Sequence, residues 1–169
     1  FYYEPHDLSV IKNKVTAKGY FVEINYNSKK LIQKIKEKTL NLNNAKFILI
    51  RQDPPFNNEY ISTTYILETI SNKVKILNNP TSIRNISEKL YSLNFSKFMP
   101  NTIFTKRIDD IYDFFKKNKK IIIKPIHGYG GNDIHMIKNK FNKYLISKFI
   151  KKHGHIVCQK FLEKIKFGD

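Results

Sequence analysis

Short apolar runs alternate with longer amphipathic ones along this chain. The segments Gly19–Ile24, Lys46–Arg51, Val74–Asn78, Ile121–Pro125, Asp133–Lys138 and His155–Phe161 are dominated by Ile, Val and Phe and read as strands. Four other stretches carry helical signatures. Asn58–Ser71 has apolar residues at Tyr60, Ile61, Tyr65, Ile66 and Ile70. Ser87–Phe98 opens on a serine able to cap its first turn and stops before Pro100. Asp109–Asn118 begins with acids and ends with lysines, as the helix dipole favours. Asn142–Gly154 finishes in Lys151, Lys152, His153 and a glycine. Within the Lys/Asn-rich stretch Asn25–Asn44 the one regular element expected is a helix around Leu31–Lys38. Strands alternating with helices predict an α/β fold. The pattern shifts near Asn79–Ser87, which predicts one domain over residues 1–80 and a second over 81–169.

Composition adds limits rather than a function. The 169 residues carry a formal charge of +17, from 31 Lys+Arg against 14 Asp+Glu. Such a charge alone would suggest a basic nucleic-acid-binding module, and that class is carried as the alternative. Arginine, however, occurs only at Arg51, Arg84 and Arg107, and the lysines are scattered among Asn and Ile as A+T-rich coding would scatter them. Bidentate contacts to phosphates and bases favour arginine, so no nucleic-acid partner is expected. The single Cys158 cannot form an intramolecular disulfide, which points to a reducing compartment. No membrane-spanning run and no signal peptide is visible, so a cytoplasmic protein without a membrane partner is expected. The chain starts at Phe1 and ends in "FGD", which suggests a fragment or a processed chain.

The stretch "KKIIIKPIHGYGGNDIHMI", Lys119 to Ile137, carries the clearest chemistry. Its β-branched run reads as a buried strand that ends in Lys124. Burying a lysine is costly unless an anion pairs with it, so its position invites a phosphate. A lysine reaching past the strand end into water is the structural alternative. Gly128, Gly130 and Gly131 free the following backbone to turn its N–H groups on an anion, although a plain hairpin turn also uses glycine. A P-loop requires Lys-Ser/Thr and a helix after its glycines, and the dinucleotide fingerprint also requires a helix. Here Asn132, Asp133 and a strand follow. The unit is therefore strand, glycine loop, strand, a flap able to close over a triphosphate held between two sheets.

Elsewhere the chemistry is sparser. In Arg51–Phe56 the prolines set a rigid turn after a strand, and a guanidinium at a strand end can grip a carboxylate with two hydrogen bonds. His127 and His135 have no partner at metal-ligand spacing, and His153 and His155 read as a helix end and a strand start. Cys158 sits in an apolar strand with no base nearby, as a packing residue does.

These motifs resemble a known family. "KPIHGYGGNDI" resembles the small glycine-rich loop of the ATP-grasp superfamily. "RQDPPFNNEYISTTYILE" resembles the Arg/Lys-x-Asp-Pro-Pro-Phe block and Tyr-Ile-Leu-Glu helix of the bacterial glutathione synthetases. "LNNPTSIRNISEKLYSLNF" is similar to that family's Asn-x-Pro…Arg-x-x-x-Glu-Lys-Leu joint, and "QKFLEKIKFGD" to its linker running into a Gly-Asp-Lys-Arg strand. The four occur in the family's order and cover nearly the whole chain.

The resemblance implies a pre-ATP-grasp (Rossmann-like) domain followed by the small lobe of an ATP-grasp domain. It implies an ATP-dependent ligase that activates the carboxylate of γ-glutamylcysteine as an acyl phosphate and joins it to glycine, with ATP and Mg²⁺ as cofactors. By the same resemblance, Lys89 is a second phosphate lysine opposite Lys124, and Tyr129 belongs with Gly128, Gly130 and Gly131 in the flap. Gln159, Lys160, Phe161 and Leu162 match the hinge where adenine packs, and Arg51 and Asp53 match dipeptide contacts. Glu88 reads as a helix-surface partner of Lys89. No catalytic residue or metal ligand is expected within the chain, since the Mg²⁺ ligands and most substrate arginines fall beyond Asp169. An opening strand should precede Phe1. An inactive isolated chain and a homo-oligomeric full-length protein are therefore expected. Another ATP-grasp carboxylate–amine ligase is the nearest alternative, and the Asp-Pro-Pro-Phe block argues against it.

Overall fold

The computed structural model describes residues 1–27 and 31–167, arranged as two compact units, Phe1–Ile86 and Ser87–Asp169. In the first unit, β1 (Leu8–Ile11), β2 (Lys14–Ile24) and β3 (Ile32–Asn41) form an antiparallel sheet in that order. Lys12 and Asn13 join β1 to β2 with φ of 49° and 62°, the double left-handed turn whose twist suits a two-residue hairpin. Val15, Ala17 and Gly19 of β2 point inward, while the β2–β3 register slips between Phe21 and Val22. A parallel pair follows, β4 (Phe47–Leu49) and β5 (Lys75–Leu77), linked through α1 (Asn58–Glu68). Asn57 caps α1 by accepting from the Tyr60 N–H at 3.0 Å. Val15, Ala17, Leu42, Ile48, Leu67, Ile70, Val74 and Ile76 close one core between these elements.

One expectation fails in this unit. The Leu31–Lys38 stretch is strand β3, not a helix. Leu31, Ile32 and Ile35 mimic helical spacing, but the cross-strand ladder to β2 overrides it. Tyr20 donates to Glu37 at 2.9 Å, Lys18 pairs with Glu37 at 3.2 Å, and Lys34 lies over the Tyr20 ring at 4.5 Å. A short helix, α2 (Pro80–Asn85), follows, with Asn79 accepting from the Ser82 N–H at 2.9 Å and Pro80 at its first turn. On α1 the buried residues are Thr63, Thr64 and Leu67, whereas Tyr65 is exposed beneath the Arg84 guanidinium at 4.1 Å.

The second unit is a four-stranded antiparallel sheet in the order β6-β9-β7-β8: β6 (Thr102–Thr105), β7 (Lys120–Pro125), β8 (His135–Lys138) and β9 (Ile156–Lys160). Its core joins Ile121, Ile123, Ile156 and Cys158 of the sheet to Ile111 of α4 (Ile108–Asn118) and to Ile146 and Phe149 of α5 (Lys143–His153). Asn142 caps α5 through the Leu145 N–H at 3.1 Å, and Gly154, at φ +72°, ends it. Strand β6 had no signal in the apolar pattern. The helix expected over Ser87–Phe98 breaks into α3 (Glu88–Tyr91) and a 3-10 stretch, Ser92–Phe98. Ser87 stands at its N-cap without a side-chain bond; Ser92 Oγ donates to the Lys89 carbonyl at 2.5 Å and Asn94 Nδ2 to that of Tyr91 at 3.0 Å, side-chain competition that disfavours a continuous helix. Among the described residues, no helix is long and apolar enough to cross a membrane.

Glu68 supplies a pH test of the first unit. Hydrogen bonds from the Thr81 hydroxyl and then from Arg84 hold its carboxyl below the ordinary value of 4.5. A depressed folded value contributes stability that is complete above 4.5 and is lost as pH falls through the folded value. Glu68→Gln should therefore be less stable near neutrality and lose less stability on acidification. Urea midpoints from pH 6.5 downward check this, and parallel curves for the two proteins would contradict it.

Candidate functional site

Strand alternation sets the polar face of the second unit. With Ile121 and Ile123 turned into the core, Ile122 and Lys124 must face the other side. Lys124 is half-buried there, and its Nζ donates to Gln159 Oε1 at 3.1 Å. Gln159 Nε2 in turn donates to Thr102 Oγ1 at 3.0 Å. Burial first, and the charge of Lys89 second, push the Lys124 ammonium below its ordinary value, with Glu88 opposing. Both lysines therefore belong to one electrostatic site, as an anion-binding pair requires.

Lys89 reaches the same place from α3. Its side chain is only 16% exposed, and Nζ donates to the Gly128 carbonyl at 2.5 Å and lies 3.4 Å from Glu88 Oε1. The expectation that Glu88 partners Lys89 at the helix surface agrees with this pairing. Lys89, Lys124, Gly128, Tyr129, Gly130 and Gly131 line one cleft of about 230 Å³. Gly130 and Gly131 have φ of +57° and +73°, and a Cβ on Gly128 would lie 2.7 Å from Pro125 Cγ. The loop after β7 thus depends on backbone positions that side chains would block. Beyond it, Asp133 ties the return to α5, its Oδ2 lying 2.8 Å from Lys152 Nζ and 3.2 Å from His153 Nε2.

The remaining predicted residues divide. At the end of β9 the Lys160 N–H donates to the Asn101 carbonyl at 2.8 Å and the Phe161 N–H to that of Lys120 at 3.0 Å, so the fold itself uses both donors. Lys120 sits over the Phe161 ring at 4.1 Å, and Leu162 is exposed. In the first unit, Arg51 and Asp53 line a separate cavity of about 380 Å³ with Phe1–His6, Gln52, Glu59 and Thr63. Sequence reasoning passed over Gln52, whose Oε1 is buried with no hydrogen-bond partner among the described residues, and also Thr102. Neither is marked by spacing or composition. His127 is exposed, His135 packs edge-on to Phe149, and burial pushes the Cys158 thiol up to about 12, which leaves it inert as a nucleophile. Two cationic side chains and a backbone cradle fit a nucleotide's phosphates. Among the described residues, no group of three or more His, Cys, Asp or Glu is placed to hold a metal, so these residues by themselves do not fit Mg²⁺.

Comparison with known proteins agrees with this geometry. Residues 1–84 match the family model of the prokaryotic glutathione synthetase N-terminal domain, and residues 88–169 that of the prokaryotic glutathione synthetase ATP-grasp domain. The chain belongs to the prokaryotic glutathione synthetase family. It is 34% identical over 175 residues to the glutathione synthetase of Buchnera aphidicola subsp. Schizaphis graminum, covering 100% of this chain and 54% of that protein. It is 36% identical over 172 residues to that of Escherichia coli O6:H1, covering 99% and 54%. The chain thus spans about half the length of the curated relatives it matches. Among solved structures, D-cycloserine synthetase DcsG aligns with a TM-score of 0.54 at 12% identity, over 75% of this chain and 47% of that one. ATP-grasp ligase PsnB, complexed with precursor peptide PsnA2 and AMPPNP, aligns at 0.51 and 14%, over 85% and 52%. These distant likenesses bear on the fold, which is that of ATP-grasp ligases.

The glycines of the loop separate by cause. Gly128→Ala must shift Pro125 or the loop, whereas Gly131→Ala meets nothing within 4 Å and bears only the strain of positive φ, about 1 kcal/mol. Hydrogen exchange over residues 126–134 should accelerate strongly in Gly128→Ala and little in Gly131→Ala. Equal exchange in the two variants would refute the steric account.

Proposed function

We propose that this chain carries the phosphate-binding lobe and part of the substrate domain of a glutathione synthase. The observation that supports the reading most directly is the pairing of Lys89 and Lys124 across the glycine-loop cleft. In the reaction, the C-terminal carboxylate of γ-glutamylcysteine would take the γ-phosphoryl group of ATP, and ADP would leave with the P–O electron pair. The amine of glycine then attacks the acyl carbon, the amide bond forms, and phosphate leaves with the C–O electron pair. Lys89 and Lys124 would neutralise charge on the nucleotide's phosphates. Gly128, Tyr129, Gly130 and Gly131 would cover the phosphates and exclude water, which would otherwise hydrolyse the acyl phosphate. Lys89 would then exchange its Gly128 carbonyl for phosphate oxygens. The segment Gln159, Lys160, Phe161 and Leu162 would border the adenine, with the exposed Leu162 as an apolar contact.

In the first unit, Arg51 would grip a carboxylate of γ-glutamylcysteine, and Asp53 would accept from its ammonium group. The buried Oε1 of Gln52 in the same cavity, unpartnered among the described residues, supports a ligand with N–H donors. The same reading makes the protein cytoplasmic and, at full length, homo-oligomeric, with small-molecule partners and neither nucleic acid nor membrane.

At full length the protein should release ADP only when γ-glutamylcysteine and glycine are both present. Lys124→Met should lower kcat/KM by roughly 100-fold or more, the scale of losing one preorganised electrostatic contact. ADP release that ignores either substrate would overturn the assignment, and release with other amino acids would favour a different carboxylate–amine ligase.

A further inference from the structure

Lys124 does not sit on its sheet alone. Three neighbouring strands carry a directed chain of hydrogen bonds across the polar face. Thr102 Oγ1 on β6 donates to the Pro100 carbonyl at 2.7 Å, so its only proton is committed. The same oxygen can then only accept, and it accepts from Gln159 Nε2 on β9 at 3.0 Å. That contact turns Gln159 Oε1 toward Lys124 Nζ on β7, at 3.1 Å. The reverse orientation of the amide would set its NH₂ against an ammonium, donor to donor, and would leave Thr102 Oγ1 without its N–H. The register makes the arrangement part of the sheet, because Gln159 is the direct partner of both Thr102 and Ile122, and Lys124 is the next residue of β7 on that face.

The chemistry of the chain is as specific as its direction. All of its members except Lys124 are neutral. A carboxylate in place of Gln159 would hold the lysine as firmly but would cancel its charge, while an amide oxygen occupies one of the ammonium's three donors and leaves the charge for an anion. We infer that Thr102 and Gln159 are positioning residues that aim the Lys124 ammonium at a phosphate of the bound nucleotide without neutralising it. This rests on the reading of Lys124 as a phosphate ligand, and the test separates the two.

ATP binding by the chain, measured by titration calorimetry, is compared for the wild type, Thr102→Val, Thr102→Ser, Lys124→Met and the Thr102→Val/Lys124→Met double variant. Thr102→Val should weaken ATP binding about fivefold, the scale of one lost hydrogen bond. Thr102→Ser, which keeps the hydroxyl, should restore it. The double variant should bind no more weakly than Lys124→Met alone, since both changes remove one linked contact. Losses that add, or wild-type binding by Thr102→Val, overturn the positioning role while leaving Lys124 as a phosphate ligand. Wild-type binding by Lys124→Met removes the phosphate reading and this inference with it. Gln159→Glu keeps the side chain's shape and serves if Thr102→Val does not fold. A positioning role predicts weaker ATP binding, through loss of net charge at Lys124. Unchanged or tighter binding by Gln159→Glu would overturn the inference.

Discussion

Everything at the polar site of the second unit depends on the two-residue period of β7. Ile121 and Ile123 are buried against α4 and α5, and a strand cannot hide those side chains without presenting Ile122 and Lys124 on its other face. A shift of one residue would bury the ammonium and expose two isoleucines, each worth roughly 1.5–3 kcal/mol of burial. The apolar core therefore fixes the position of a charge it never touches. Ile156 and Cys158 do the same for β9: with both turned into the core, Gln159, the next residue along, must face the polar side.

A second constraint is steric. The backbone at Gly128 runs so close to Pro125 that a β-carbon has no room, and the Gly128 carbonyl is thereby delivered to Lys89. The Lys89 ammonium is thus already partnered, so any anion that takes the place of the carbonyl has to offer more than it does. A charged oxygen satisfies that condition, because charge-assisted hydrogen bonds are roughly twice as strong as neutral ones.

The legible parts of this protein were those where local pattern and tertiary demand agree. The β-branched run of β7, the acid-to-lysine polarity of α4 and the lysine-rich end of α5 read directly from the chain. Strand β3 did not, because its isoleucines are exposed and its order comes from pairing with β2, a contact distant in sequence. Strand β6 was also invisible: Thr102 to Thr105 has no pattern of its own and is a strand only because β9 lies beside it. Side-chain competition from Ser92 and Asn94 broke the helix after Tyr91, although the apolar spacing continued.

The same division holds for the site. Residue types and order were enough to group Lys124 with the three glycines, which line one cleft, and the Asp-Pro-Pro-Phe block and its companions were enough to name the family, because such motifs are local and their chemistry travels with them. The sequence alone also excluded the P-loop and dinucleotide fingerprints, since both need a helix where this chain has a strand. Only the folded sheet decided what surrounds Lys124. Thr102 and Gln159 lie 57 positions apart, and Gln159 lies 35 from the lysine. No periodicity connects such residues. Their hydrogen bonds exist because three antiparallel strands bring them side by side on one face.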